Sequence, residues 1–83
     1  MNRNDNNSAI SIVIATLNEE NGIGPTIDEL ARVLKNPHLL VVDGWSIDKT
    51  AEIAKDMGAD IIFQDGEGKG QALAQGIRRL RPD

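Results

Sequence analysis

The sequence has no cysteine, few aromatic residues and no long apolar run. Without cysteine the chain forms neither a disulfide nor a thiolate metal site, and the cytoplasm, or a domain facing it, is the simplest location. Aromatic residues make up only 2% of the chain, so aliphatic side chains must form the core. No apolar stretch approaches the roughly 20 residues needed to cross a bilayer. The net charge of −4 argues against a general nucleic-acid binder, which needs a basic surface.

The first residues are polar and lack the apolar segment of a secretory signal. We therefore predict a disordered polar tail over residues 1–8 and one folded unit over residues 9–83. A chain of 83 residues is limited to one small domain, which buries only about 60% of the surface that its unfolded chain exposes. We expect its stability margin to be thin.

Three short apolar runs, each followed by a helical pattern, organise the folded unit. The runs cover residues 10–15, 39–42 and 61–63, and their valine and isoleucine content is typical of buried parallel strands. The apolar stripes of the helices contain Ile23, Ile27, Leu30, Ala31 and Leu34, then Ala51, Ala54 and Met57, then Leu73, Gly76, Ile77 and Leu80. This alternation predicts a three-layer α/β/α Rossmann-like half domain, β-α-β-α-β-α, with parallel strands in the order 3-2-1.

Polar side chains follow the first two predicted strands. Asn18 and Glu19 come after the first strand, and Asp43 ends the second. The carboxyl ends of parallel strands meet at one edge, where open α/β folds bind nucleotides. Asp43 either accepts a hydrogen bond from the imide N–H of a base or is satisfied by the turn that follows it, and its position favours the ligand. Asn18 and Glu19 either bind a ribose hydroxyl or base edge, or cap the next helix.

Two further segments carry polar or charged groups. Ser46 and Asp48, in one turn with Thr50, are predicted to accept hydrogen bonds from the start of the second helix, with Asp48 as its N-cap. The glycine-rich residues 66–70 include Lys69 and either bind a phosphate or base carbonyl or form a flexible turn with a solvated lysine. This loop lacks the P-loop and dinucleotide patterns. His38 has no second histidine or cysteine beside it, so we predict a structural role.

These segments resemble three motifs of the family 2 inverting glycosyltransferases, in the same order and spacing. Residues 11–19, SIVIATLNE, resemble the first strand and its P-x-[YL]-N-E signature. Residues 41–50, VVDGWSIDKT, resemble V-V-D-[DG]-x-S-x-D-x-T, and residues 68–76, GKGQALAQG, resemble G-K-G-x-A-x-x-x-G. The resemblance covers nearly all of residues 9–80 and is nearest to the dolichyl-phosphate mannose and glucose synthases.

The resemblance implies the N-terminal, nucleotide-binding half of a GT-A fold. It implies a UDP- or GDP-sugar as donor and an acceptor such as a polyprenyl phosphate. The nucleotide-binding residues that it implies are Thr16, Asn18, Glu19, Asp43 and Lys69. Glu19 would hold the ribose or base, Asp43 would accept from the base N–H, and Lys69 would contact the base or a phosphate. The residues implied to order the supporting turn are Ser46, Asp48 and Thr50.

The sequence departs from the family motifs at three positions. Ala15 and Leu17 stand where proline and tyrosine are frequent, and the missing ring at Leu17 weakens any stacking on the base. Gly44 stands in place of the second aspartate of the commoner D-D, which leaves Asp43 as the expected anchor.

The DxD metal motif and the catalytic base of the family lie after the third helix, and we expect neither in this chain. No catalytic residue is therefore assigned here, and the Mg²⁺ or Mn²⁺ of the complete enzyme is not expected to bind this chain alone. Sugar transfer would belong to a longer protein, at the cytoplasmic face of a membrane. The alternative is a non-catalytic nucleotide-binding or interaction module. The first strand has one neighbour in this topology, so we expect the chain alone to form a homodimer through its open edge, to aggregate or to be only marginally stable.

Overall fold

The computed structural model describes residues 10–81, so the tail predicted for residues 1–8 lies outside the described residues. Strands and helices alternate along the chain. Their bounds are β1 (Ser11–Thr16), α1 (Ile23–Leu34), β2 (His38–Asp43), α2 (Thr50–Asp56), β3 (Asp60–Phe63) and α3 (Lys69–Leu80). Within this part of the chain, no helix has both the length and the apolar character required to cross a membrane.

The strands form one parallel sheet with β2 in the centre. Thr16 at the end of β1 pairs with Asp43 at the end of β2, and Asp43 pairs with Phe63 at the end of β3. The carboxyl ends of the three strands therefore lie together, at what we call the carboxyl edge. The α/β class, the parallel pairing and the strand order 3-2-1 predicted from the sequence are confirmed.

Strand β2 is buried on both faces and separates two apolar clusters. The face that carries α1 and α2 has a cluster containing Ile23, Ile27, Leu39, Val41, Ala54 and Ala59. The face that carries α3 has a cluster containing Leu40, Val42 and Ala72. Successive side chains of a strand point to opposite faces, so one short apolar run supplies both clusters. Each fully buried valine or leucine contributes about 1.5–3 kcal/mol, which makes β2 the anchor of the fold.

Helix α3 approaches the sheet so closely that a glycine faces it. A Cβ atom at Gly76 would stand 2.4 Å from Cγ1 of Val13 and 3.1 Å from Cγ2 of Val42. Atoms at such distances overlap, so the position has no room for a side chain. This contact fixes the height of α3 above β1 and β2, and therefore the position of its first residue at the carboxyl edge.

The stripe predicted for the buried face of α3 is wrong in part. Leu73 and Ile77 are 39% and 58% exposed. The buried residues of the helix are instead Ala72 and Gly76. Small residues are required where a helix lies close to a sheet, so contact distance and not hydrophobicity selects the buried face here.

Candidate functional site

A cleft of about 260 Å³ opens at the carboxyl edge, between the end of β1 and the start of α3. Its lining includes Thr16, Leu17, Gly44, Gln64, Gly68 and Lys69. These residues come from the ends of all three strands, from the glycine-rich loop and from the first residue of α3. Two of the predicted nucleotide-binding residues, Thr16 and Lys69, therefore line the same cleft.

Asp43, next to the lining residue Gly44, is completely buried. Its Oδ1 accepts hydrogen bonds from Oγ1 of Thr16 and Oγ of Ser46, both at 2.7 Å. Its Oδ2 accepts from the backbone N–H of Ser46, also at 2.7 Å. A buried carboxylate is costly without such donors, and here the chain itself supplies all three. The predicted contact between Asp43 and a base N–H stays a prediction.

The loop after β1, residues 17–22, and the loop after β2, residues 44–49, are joined by hydrogen bonds from side chains to backbone. The N–H of Asn18 donates to Oγ of Ser46 at 2.8 Å, and the N–H of Ile47 donates to Oδ1 of Asn18 at 2.9 Å. Asn18 has a φ of 51°, in the left-handed region that asparagine adopts more readily than most residues. We call the two joined loops the double loop.

Three more hydrogen bonds extend the double loop to the start of α2. The N–H of Glu19 donates to Oγ1 of Thr50 at 2.7 Å, and the N–H of Glu20 donates to Oδ2 of Asp48 at 3.1 Å. In the opposite direction, the N–H of Lys49 donates to Oε1 of Glu20 at 3.0 Å. Each loop thus satisfies backbone groups of the other, and the two loops form one structural unit.

The two helix caps predicted in this region differ from the structure. Asn18 does not cap α1, because the N-cap position is Gly22. The N-cap position of α2 is Lys49, one residue after the predicted Asp48. Oδ1 of Asp48 nevertheless accepts from the N–H of Thr50 at 3.0 Å and from the Thr50 hydroxyl. Asp48 therefore serves the first residue of α2 as well as the double loop, as predicted for a side chain at the start of this helix, whereas the side chain of Asn18 serves the double loop.

Asp48 is held in its charged form by these contacts. Desolvation by its surroundings works to raise the pKa of the Asp48 carboxyl, but hydrogen bonds from the Thr50 hydroxyl, the Thr50 N–H and the Glu20 N–H outweigh it. The pKa therefore lies below its ordinary value of 3.8. An ionised Asp48 accepts hydrogen bonds without competing for them as a donor, which suits its position between the two loops.

The loop between β3 and α3 forms the wall of the cleft that faces the end of β1. Gly66 and Gly68 have φ values of 84° and 88°, a region that residues with a Cβ rarely adopt. Nε2 of Gln64 donates to the carbonyl oxygen of Gly68 at 2.9 Å and holds the loop across its width. Lys69 then begins α3, so a cation and the unpaired N–H groups of a helix start meet at the cleft.

Trp45, the single tryptophan of the sequence, links the turn after β2 to the end of β3. Its ring stacks on Phe63 with centroids 4.6 Å apart, and its Nε1 donates to the carbonyl oxygen of Gln64 at 2.9 Å. Its φ of 64° is rare for a bulky residue, and the stack and the hydrogen bond offset the strain. The indole remains 65% exposed.

The predicted site residues occupy three different environments. Thr16 and Lys69 line the cleft. Asn18 and Glu19 lie in the exposed part of the double loop, where their backbone groups are fixed. Asp43 lies in the interior and contacts the cleft residue Thr16. The ligand contacts assigned to all five residues stay predictions.

Sequence analysis missed Gln64 as a lining residue of the cleft. The feature of the sequence that could have indicated Gln64 is its position directly after β3. Asn18 lies in a comparable position, two residues after β1. The same rule about strand ends that selected Asp43 therefore also selects Gln64.

A divalent metal is implied by the family resemblance, but the described residues do not form a site for one. Within residues 10–81, no group of three or more His, Cys, Asp or Glu side chains is arranged to hold a metal ion. The carboxylates of Asp43 and Asp48 already accept hydrogen bonds from the surrounding loops.

Solved structures with the same architecture define the class of fold. Glucosyl-3-phosphoglycerate synthase from Mycobacterium tuberculosis, crystallised with Mn²⁺, UDP and glucosyl-3-phosphoglycerate, superposes with a TM-score of 0.75 and 30% identity. The match covers 87% of this chain and 29% of that one. Mannosyl-3-phosphoglycerate synthase from Rubrobacter xylanophilus superposes with a TM-score of 0.76 and 29% identity, over 87% of this chain and 27% of that one. Residues 10–81 thus have the Rossmann-like architecture of GT-A enzymes.

The family follows from the sequence comparisons. The model of glycosyl transferase family 2 matches residues 11–83. The low-salt glycan biosynthesis hexosyltransferase Agl6 of Haloferax volcanii is 39% identical over 77 residues, which cover 89% of this chain and 19% of that protein. The dolichyl-phosphate hexose transferase of the same organism is 37% identical over 75 residues, which cover 89% of this chain and 32% of that protein. The chain belongs to glycosyl transferase family 2 and spans about a fifth to a third of the length of these relatives.

Proposed function

We propose that this chain is the nucleotide-recognition part of a glycosyltransferase and binds the nucleoside diphosphate of a sugar donor in the cleft at the carboxyl edge. The observation that carries the proposal is the meeting of Thr16, the glycine-rich loop and Lys69 around one cleft. Open α/β sheets bind nucleotides at this edge. The crystallised relative from M. tuberculosis contains UDP, at 30% identity to this chain.

Each wall of the cleft contributes a different group in this proposal. Lys69 and the start of α3 attract the negative diphosphate or a base carbonyl. Thr16 offers its hydroxyl oxygen, while its hydrogen is directed to Asp43. Glu19, which is exposed and follows the cleft residue Leu17 by two positions, accepts from the ribose hydroxyls. Asp43 then acts on the nucleotide through Thr16, because its own oxygens are already engaged.

The complete reaction is proposed for a longer protein. Transfer of the sugar requires a base that deprotonates the acceptor and a group that stabilises the leaving diphosphate. Of the residues described as lining the cleft, Lys69 is the one cation that could stabilise the diphosphate. We propose UDP or GDP as the nucleotide and a polyprenyl phosphate as the acceptor class, in line with the name of the H. volcanii dolichyl-phosphate hexose transferase. The cysteine-free sequence supports a cytoplasmic location.

Calorimetric titration of the chain with UDP and with GDP tests the proposal. We expect saturable binding of at least one nucleotide, and about tenfold weaker binding by Lys69→Gln, because a charge-assisted contact is lost. Lys55→Gln, on the exposed side of α2, removes the same charge away from the cleft and should bind like wild type. Absence of binding by the wild type, or equal losses in both variants, would overturn the proposal.

A further inference from the structure

Gln64 has its side-chain amide fixed in one orientation. Nε2 donates to the carbonyl oxygen of Gly68 at 2.9 Å. A carbonyl only accepts, so the nitrogen must face Gly68 and the oxygen must face the other way. The backbone of Gln64 is held as well, because its N–H donates to the carbonyl oxygen of Asp43 at 2.8 Å and its own carbonyl accepts from Nε1 of Trp45.

The free end of this amide points toward the cleft. Oε1 of Gln64 lies 3.2 Å from the place where a Cβ of Gly44 would stand, and both residues line the cleft. Among the described residues, no group donates a hydrogen bond to Oε1, whereas Nε2 is engaged as a donor to Gly68. Gly44 has no side chain, so the space in front of Oε1 stays open. A pre-oriented acceptor of this kind is suited to a planar donor that enters the cleft.

Asp43, the acceptor that the sequence motif selects, does not offer the same contact. It is completely buried and already accepts three hydrogen bonds from Thr16 and Ser46. Gln64 thus presents an oriented acceptor just after β3, one strand away from the position that the sequence motif selects.

We propose that Oε1 of Gln64 accepts the imide N–H of the nucleobase and so selects uracil or guanine against cytosine and adenine. This inference rests on the proposed nucleotide-binding function. Uracil and guanine carry a hydrogen on the ring nitrogen beside their carbonyl, whereas cytosine and adenine present a lone pair at the corresponding position. A fixed amide oxygen attracts the ring N–H of uracil and guanine and repels the ring-nitrogen lone pair of cytosine and adenine. Gln64 is therefore a specificity-determining residue of the donor site.

Titration of the chain with UDP, GDP, CDP and ADP tests this role. We expect UDP or GDP to bind at least about tenfold more tightly than CDP and ADP, which is the discrimination that one good base contact provides. Gln64→Met keeps the length of the side chain and removes its acceptor, so the preference should fall to less than about twofold. Gln71→Met, on the exposed first turn of α3, is the matched control and should keep the preference.

A second variant probes the same contact without changing Gln64. Gly44→Ala brings a methyl group to 3.2 Å from Oε1 and 3.4 Å from the carbonyl oxygen of Thr16. It should weaken UDP and GDP more than CDP and ADP. Circular dichroism of each variant shows whether it is folded. If Gln64→Met does not fold, the base preference of Gly44→Ala tests the role of Gln64 in its place.

The outcomes separate this inference from the function on which it rests. Tight binding of UDP or GDP with an undiminished preference in Gln64→Met and Gly44→Ala overturns the role of Gln64 and leaves the nucleotide site standing. Equal binding of all four nucleotides by the wild type would likewise overturn the role of Gln64 and leave the nucleotide site standing. Absence of binding for all four overturns both.

Discussion

The hydroxyl of Thr16 donates to Oδ1 of Asp43 over 2.7 Å, and both side chains are buried at the ends of paired strands. The carboxylate that the sequence motif presents as a ligand is therefore part of the framework that supports the cleft. Thr16 connects Asp43 to the cleft, because it donates to the buried carboxylate and also lines the cleft.

Replacing Asp43 separates the framework role from direct ligand contact. Asp43→Ala leaves the hydroxyl of Thr16 and two donors of Ser46 without their acceptor. We expect a loss of about 3 kcal/mol in the free energy of unfolding, measured with urea. Asp28→Ala, on the exposed side of α1, should change it by less than about 0.5 kcal/mol. An Asp43→Ala variant of normal stability that no longer binds UDP or GDP would instead restore the predicted contact with the base.

The contact between α3 and the sheet predicts opposite effects of the same substitution at two glycines. Gly76→Ala forces a methyl group against Val13 and Val42 and should cost about 1–3 kcal/mol of stability. Gly70→Ala meets no atom within 4 Å and should be neutral or stabilising by up to about 1 kcal/mol, because alanine favours the helix. Urea denaturation of the two variants provides the comparison. A tolerated alanine at Gly76 would mean that α3 lies further from the sheet than described.

The lowered pKa of Asp48 predicts how stability depends on pH. A carboxyl whose pKa is lower in the folded chain stabilises it fully at pH values above the ordinary pKa of 3.8, and the effect is lost as the pH falls through the folded value. Wild type should therefore be more stable than Asp48→Asn at neutral pH, and the difference should disappear in acid. Asp28→Asn, exposed on α1, serves as control. Denaturation curves from pH 7 to about pH 2 measure the difference, and a constant gap would contradict the assignment.

The outer edge of β1 is expected to join two copies of the chain. Among the described residues, β1 pairs with β2 only. Carbonyls of Ile10 and Thr16 accept from the β2 side, so by alternation the odd residues, Ala15 included, direct their N–H and C=O groups outward. Unpaired edges of this kind associate. Sedimentation velocity should show a dimer or larger species for the wild type.

Ala15→Pro tests whether this edge is responsible. Proline removes an outward N–H and leaves the hydrogen bonds to β2 in place, so the variant should shift toward monomer. Ala74→Ser, on α3, is a matched small change away from the edge and should associate like wild type. A wild type that is monomeric over the whole concentration range would refute the expected homodimer.

The fold was predictable because its signals are local and consistent. Short β-branched runs, proline and glycine at helix boundaries and the alternation of elements all indicate one parallel sheet in the order 3-2-1. The burial of Ala72 and Gly76 in place of Leu73 and Ile77 was not predictable from hydrophobicity, because it depends on the distance between a helix and a sheet.

The candidate site was predictable only in its location. Strand ends indicate where polar groups gather, and Thr16 and Lys69 do line the cleft there. Whether a carboxylate such as Asp43 faces a ligand or the protein depends on which donors the neighbouring strand and the following turn bring to it. Those donors come from residues 27 positions earlier and 3 positions later, and such a combination has no signature along the chain.

Because of the double loop, the polar residues after β1 and those after β2 depend on each other when the sequence is changed. The N–H of Asn18 donates to Oγ of Ser46, while Oδ1 of Asn18 accepts from the N–H of Ile47. In the same way, the N–H of Glu20 donates to Oδ2 of Asp48, while Oε1 of Glu20 accepts from the N–H of Lys49. Grafting one motif from a relative into this chain therefore leaves backbone groups of the other without partners, whereas transplanting both together preserves them. Exchange of these motifs between this chain and a relative should accordingly preserve the folded structure only when both motifs are exchanged as a pair.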